Sequence, residues 1–369
     1  MIRRLLLLNG LATLGVVLYH ASSWGFVAMF WWTDRYLPVE VPNFDQLGSL
    51  SYYGLRTVEQ VIIFSIPAFL FVSGFFVAVA CGRNRRTVEW KLVRARISHL
   101  VIPYLVWSLL IFVGDFAQGT TYSGPDYVRR LALGQARPGF YYVPLLTQLY
   151  LLSPLLIPVA RTRWKWLLVA AALVQLAAQG LRYPATVGVE LPALKPFLAL
   201  TPAWLFPGRI FWFVLGLVAG FHLQHLKRWL ARVKWGLLVG SIVLVPVGML
   251  EFEILLRFSG ENWIAPAETV IDSLYAGCLI LAFLAFDKTT IPLSKSIDQI
   301  GGKSFGVYLV HGPVLEVASR VAYHVVPGIL AFQALFQPLL VVLGLGIPLL
   351  VMMLVDRSPA HRVYHYLFG

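Results

Sequence analysis

Charge and sulfur are both scarce in this chain. Only 13% of its 369 residues are Asp, Glu, Lys or Arg, and only two are cysteine. Against 59% hydrophobic residues and a mean hydropathy of +0.74, that shortage excludes a water-soluble globule of ordinary composition. Cys81 and Cys278 lie at the inner end of one apolar run and inside another, with neither metal-ligand spacing nor an expected disulfide. No set of His, Cys and carboxylate residues has ligand spacing, so no metal is expected. Gly-rich phosphate loops, internal repeats and low-complexity stretches are also missing. The first apolar run is long enough to span a bilayer and lacks a small-residue cleavage pattern after it, so it reads as a membrane helix rather than a signal peptide. No soluble domain is expected at either end, leaving residues 1–369 as a single transmembrane domain.

What is present is a series of about ten apolar runs, each near the ~20 residues a bilayer requires. They cover approximately 7–30, 58–80, 97–117, 140–160, 164–181, 203–222, 235–252, 269–286, 303–323 and 329–355. The fold class implied is an all-α polytopic membrane protein. Thirty Lys and Arg against seventeen Asp and Glu would suggest nucleic acid in a soluble domain. Here the cations fall in short clusters between runs, as topology signals and lipid-headgroup contacts. Alternate connecting segments are the basic ones, so both termini are expected on the cytoplasmic side of a plasma membrane, most simply the inner membrane of a bacterium.

Within this framework a few polar residues stand out. His20 closes the stretch Asn9–His20, near mid-depth of the first run. A histidine there is either a neutral imidazole satisfied by a neighbouring helix or a group on a substrate or proton path. His311, eight residues past Lys303, lies ~12 Å along the ninth run and could face the same cavity. It could instead satisfy backbone groups freed by Gly312-Pro313. Glu316 with Arg320, and Glu268 with Asp272, are spaced four apart as helix-face neighbours, and Glu59 begins the second run. Each carboxylate could orient a histidine, bind sugar hydroxyls or simply sit at the interface. Arg83, Arg85, Arg86, Lys91, Arg94 and Arg96 form the densest basic cluster, suited either to phosphates or to plain topology and anionic lipid. Aromatics at Trp31, Trp32, Tyr36, Tyr52, Tyr53 and at Phe140, Tyr141, Tyr142 read as interfacial belts ahead of the alternative, sugar stacking.

Several of these stretches resemble, in order, the motifs of the acyltransferase-3 family of integral membrane acyltransferases. Asn9–His20 is similar to the first-helix pattern in which an arginine is followed, after ten intervening residues, by a histidine. Ser65–Phe75, ending in Phe71-Val72-Ser73-Gly74-Phe75, resembles the second helix, which typically ends in Phe-x-x-Ser-Gly-Phe. Arg94-Ala95-Arg96 before Pro103-Tyr104 is similar to the basic entry to the third. Tyr142–Pro154, containing Tyr150, looks like the fourth-helix signature, and Ser304-Phe305-Gly306-Val307-Tyr308-Leu309-Val310-His311 resembles the Ser-aromatic-Gly-x-Tyr-Leu-x-His motif. Asn9 departs from the family arginine. It cannot supply a fixed cation, so either Arg3 or Arg4 reaches the same site by snorkelling or the donor is held differently. The histidine-tryptophan often found before the fourth-helix signature is replaced by Gly139-Phe140-Tyr141.

The resemblance implies acyl transfer from a thioester to a hydroxyl, with no bound cofactor and an acyl-CoA, most simply acetyl-CoA, as donor. His20 is the expected base and His311 a second catalytic candidate. Arg96, Arg94, Glu316, Asp272 and Tyr150 are candidates for substrate contact, and Arg83, Arg85 and Arg86 for the coenzyme A phosphates. The acceptor would be a glycan or lipid-linked saccharide in contact with the membrane. A polysaccharide or lipid-linked sugar exporter remains a rival, since buried histidines and the helix breaks at Pro67 and Pro313 also suit alternating access. An inactive partner of a synthase complex is the third reading, favoured by Asn9.

Overall fold

The computed structural model describes residues 2–82, 87–189, 191–265 and 267–369, excepting the side chain of Ile2. Among them there are helices and turns and no strand. The helices are α1 (Ile2–Phe30), α2 (Leu50–Ile62), α3 (Ser65–Cys81), α4 (Trp90–Ala117), α5 (Gly124–Leu133), α6 (Tyr142–Thr162), α7 (Trp164–Gly180) and α8 (Arg182–Thr186). The second half holds α9 (Lys195–Leu198), α10 (Ile210–Phe221), α11 (Leu223–Ser259), α12 (Val270–Ala285), α13 (Ser294–Gly302), α14 (Ser304–Val325), α15 (Gln333–Arg357) and α16 (Tyr364–Phe368).

Among the described residues, seven helical segments are long and apolar enough to cross a membrane: α1, α2 with α3, α4, α6, α7 with α8, α11 and α15. Each of the ten expected runs falls on a helix, but ten crossings are more than length and composition establish. The apolar helices around α10 and α12 are shorter than a bilayer normally needs. The apolarity of α14 is diluted by His311, Glu316, Arg320 and His324. The run expected at 58–80 is broken between Ile62 and Ser65, just before Pro67, whose ring nitrogen cannot continue the backbone ladder.

Helix α3 is the centre of the bundle, with almost every residue from Pro67 to Ala78 buried. It lies against α10 at very close range. A Cβ on Gly74 would collide with the Phe213 carbonyl, and one on Gly216 with the Phe71 carbonyl. Small residues that let backbones touch are the usual membrane substitute for a hydrophobic driving force between helices. The outer helices invert this pattern. Leu109 and Val113 on α4, Leu173 on α7, Ile242 on α11 and Val342 on α15 are all exposed. Such an apolar shell would be a liability in water and is ordinary against lipid tails.

The bundle has two ends. At the near end, where α1 begins, Arg3 pairs with Asp298 at 3.2 Å and Arg4 donates to the carbonyls of Phe283 and Thr289. At the far end Arg35 donates to the Tyr323 carbonyl, while Tyr52 and Tyr183 donate to Glu253 and Glu251 at 2.6 Å. Tyr52 is therefore buried in the protein rather than placed in an aromatic belt.

Candidate functional site

Helices α1 and α14 carry one histidine each to the same depth. The ring centroids of His20 and His311 are 5.2 Å apart and tilted by 47°. By helical rise His20 lies ~16 Å beyond Asn9, and His311 ~10 Å beyond Ser304, so the pair sits well inside the bundle. His311 is buried, and its Nδ1 lies 3.0 Å from the Val307 carbonyl. A carbonyl only accepts, so Nδ1 carries the proton in the neutral ring and Nε2 keeps its lone pair. Among the described residues Nε2 has no hydrogen-bond partner. The imidazole thus serves its own helix through Val307, one turn back, rather than the backbone freed by Pro313.

A loop closes over His20. Gly139 has φ +92°, and a Cβ built there would lie 3.3 Å from His20 Nε2. Glycine is suited to this conformation and leaves the imidazole room. The loop is held from below, where Tyr308 donates to the Gly139 carbonyl at 2.8 Å. It is held from the side by Arg137, which pairs with Asp115 at 2.8 Å and Glu316 at 3.3 Å. Phe140 and Tyr142 are buried against Tyr308, with ring centroids 5.9 and 5.7 Å away. The expected aromatic belt at Phe140–Tyr142 is thus corrected for Phe140 and Tyr142, which build the roof of the histidine pair.

On the near side of this roof lies a cavity of about 360 Å³. Its wall brings the separate motifs together: Asn9, Ser73, Arg96, Tyr150, Ser304 and Tyr308 all line it. Arg96 donates to the Phe76 carbonyl at 3.2 Å and its guanidinium lies 5.7 Å from the Tyr150 ring centroid. Arg94 is exposed and does not line the cavity. Arg83, Arg85 and Arg86, the expected coenzyme A contacts, lie outside the described residues. Asn9 is committed to structure, since its amide donates to the Gly301 carbonyl at 2.9 Å and to Ser304 Oγ at 2.8 Å. Neither Arg3 nor Arg4 takes over the missing cation, because both are held at the near end by the contacts given above. Arg96 is the arginine that reaches this wall.

On the far side a small polar chamber of about 40 Å³ begins beside Tyr19, the neighbour of His20. Arg56, Glu59, Gln60, Arg182 and Glu268 line it. Of its charges, Arg56 pairs with Glu59 and Glu268 pairs at 2.9 Å with Arg209 from behind the wall, while Arg182 donates to the Thr201 carbonyl. Glu59 is therefore a buried ion-pair member rather than an interfacial charge. Arg56 announced itself only as a cation three residues earlier in an apolar run.

Two expected substrate carboxylates are occupied. Asp272 accepts from the Thr269 backbone at 3.0 Å in a capping box at the start of α12, and from Gln60 Nε2 at 2.8 Å. Glu268 precedes that helix, so the two do not share a helix face. Glu316 is bound by Arg137 and, at 3.0 Å, by Arg320. Among the described residues neither histidine has an ion-pair partner. The contributions of Tyr308 and Gly139 lay within or beside motifs visible in the sequence, but their contact joins residues 169 positions apart.

A family model described as Acyltransferase domain matches residues 3–357, nearly the whole chain. The chain belongs to this acyltransferase-3 family and is an integral membrane protein. No curated protein and no solved structure matches it.

Proposed function

From that membership, we propose that the chain moves an acyl group, most simply acetyl, from an acyl-CoA to a hydroxyl of a glycan or lipid-linked saccharide. The observation that carries this reading is the lone pair of His311 Nε2, buried beside His20 and without a partner among the described residues, with Tyr308 of the near cavity's wall and Tyr19 of the far chamber's wall close by in the same two helices. The near cavity, with Arg96 at its wall, suits a donor whose phosphates remain outside. The far chamber, rich in carboxylates, amides and guanidinium groups, suits the hydroxyls of an acceptor after local opening.

In this reading the acceptor hydroxyl loses its proton to His311 Nε2 while its oxygen attacks the thioester carbonyl. His311 is oriented for this by its Nδ1 bond to Val307, whereas no such bond orients His20. His20 holds an N–H toward the carbonyl oxygen, where charge develops. Collapse of the tetrahedral intermediate breaks the C–S bond, and the departing thiolate takes the proton back from His311, leaving ester and free coenzyme A. The roof of Gly139, Phe140 and Tyr142 keeps out water, which would otherwise accept the acyl group.

The topology proposed with it has ten crossings in a single domain, the near end and both termini in the cytoplasm, and a bacterial inner membrane as location. The test is to supply acetyl-CoA labelled in its acetyl group to the protein in nanodiscs with extracted membrane glycans. Ester-linked label that alkali releases from saccharide supports the reading. Label that is neither transferred nor hydrolysed contradicts it.

A further inference from the structure

Away from the histidine pair, α7, α10, α11 and α12 enclose a second large cavity of about 480 Å³. Its wall is almost wholly apolar, formed by residues including Trp164, Phe211, Leu215, Trp229, Leu274 and Leu281. Leu274 and Trp229 are 52% and 43% exposed, so the groove opens outward, on the side a membrane would cover. From Phe211 to His222 it follows α10 for ~16 Å by helical rise, a length that accepts an extended hydrocarbon chain.

The near end of this groove changes character. His222 and His225 join its wall there, and Trp164 is shared with an adjoining hollow of about 410 Å³ lined by Arg163, Lys165 and Trp166. His222 is satisfied by the Ala160 carbonyl at 2.9 Å. The His225 ring lies 5.4 Å from that of Trp164, tilted by 60°, and the Lys165 ammonium lies 5.6 Å from the Trp164 ring centroid. Arg163, Lys165 and His225 are exposed, and among the described residues no carboxylate lines either hollow. Lys227 and Arg228 follow on the same exposed end of α11. An apolar slot capped by cations and interfacial tryptophans has the polarity profile of a single lipid molecule.

We propose that this groove is a binding site for a glycerophospholipid with an anionic headgroup, one acyl chain lying along α10 and the phosphate between Arg163, Lys165 and His225. The site is separate from the acyl-transfer machinery. It lies on the opposite face of α10 from the Gly216 contact with α3, and it stands whether or not the proposed reaction does.

The test is native mass spectrometry of the detergent-purified protein mixed with equimolar phosphatidylglycerol and phosphatidylcholine. The wild type should retain phosphatidylglycerol about tenfold over phosphatidylcholine, given the attraction of two or more cations for a phosphate near the surface. R163Q/K165Q alters only exposed groups and should remove the preference. G277L should abolish retention of either lipid, because a Cβ at Gly277 already lies 3.6 Å from the Trp212 ring within the groove. No preference in the wild type, or a preference that survives either change, would overturn the proposal.

Discussion

His20 and His311 meet with ring centroids 5.2 Å apart, although 290 residues separate them and they come from different helices. Among the described residues only one of the two is held by a hydrogen bond, from His311 Nδ1 to the Val307 carbonyl, and that bond leaves Nε2 as the unsatisfied atom. Burying such an atom without a partner costs about 1–3 kcal/mol, a sum natural proteins tolerate where the atom has work to do.

Gly139 tests the roof over this pair. Gly139→Ala places a side chain in a left-handed backbone region and 3.3 Å from His20 Nε2. A destabilisation of about 1–2 kcal/mol is expected from the backbone alone. Turnover should fall by at least about tenfold, because the loop must lift or the imidazole must turn. Thermal unfolding and acyl transfer measured on the same preparation check both effects.

Tyr308→Phe removes the hydroxyl that donates to the Gly139 carbonyl and nothing else. The expected loss is about 0.5–1.5 kcal/mol of stability. Because the aromatic ring stays in the near cavity, the KM for acyl-CoA should hold while kcat drops. A rise in KM with kcat unchanged would show that Tyr308 contacts donor instead.

Arg96 and Arg94 are two residues apart and should behave differently. Arg96→Gln removes the one arginine among the described residues at the wall of the near cavity and should raise the donor KM about tenfold, the usual scale for a charge-assisted hydrogen bond. Arg94→Gln, at an exposed position off that wall, should leave it within about twofold. Equal effects from both would return the cluster to a diffuse electrostatic role.

Asn9→Arg would restore the family residue but break two hydrogen bonds that join α1 to α13 and α14. Stability should fall by about 1–2 kcal/mol. A compensating gain in donor affinity is expected only if the guanidinium turns into the cavity, which isothermal titration with acyl-CoA would register directly.

Much of the architecture was legible in the apolar runs, because twenty consecutive apolar residues have few alternatives to a membrane helix. The break before Pro67 and the dilution of α14 by its charged and histidine residues were harder to weigh. They depend on neighbours that bury a polar side chain, which a hydropathy run cannot express. At the site, the histidines and Arg96 were visible as unusual residue types in matched motifs. The roles of Asn9, Asp272 and Glu316 were not, since an amide or carboxylate reads the same whether it caps a helix, bridges two helices or waits for substrate. Phe140 and Tyr142 were misplaced for a related reason: aromatic side chains are equally at home at an interface and in a core, and only the Tyr308 contact distinguishes them.

The most direct measurement is release of free coenzyme A from acetyl-CoA by the purified protein in nanodiscs, with extracted membrane glycans supplied, for the wild type, His311→Ala and His20→Ala. The expected result is a loss of about 10²–10⁴-fold in both variants, with acetyl-CoA binding retained. Wild-type turnover that survives in His311→Ala would contradict the assignment of the histidine pair as the reaction centre.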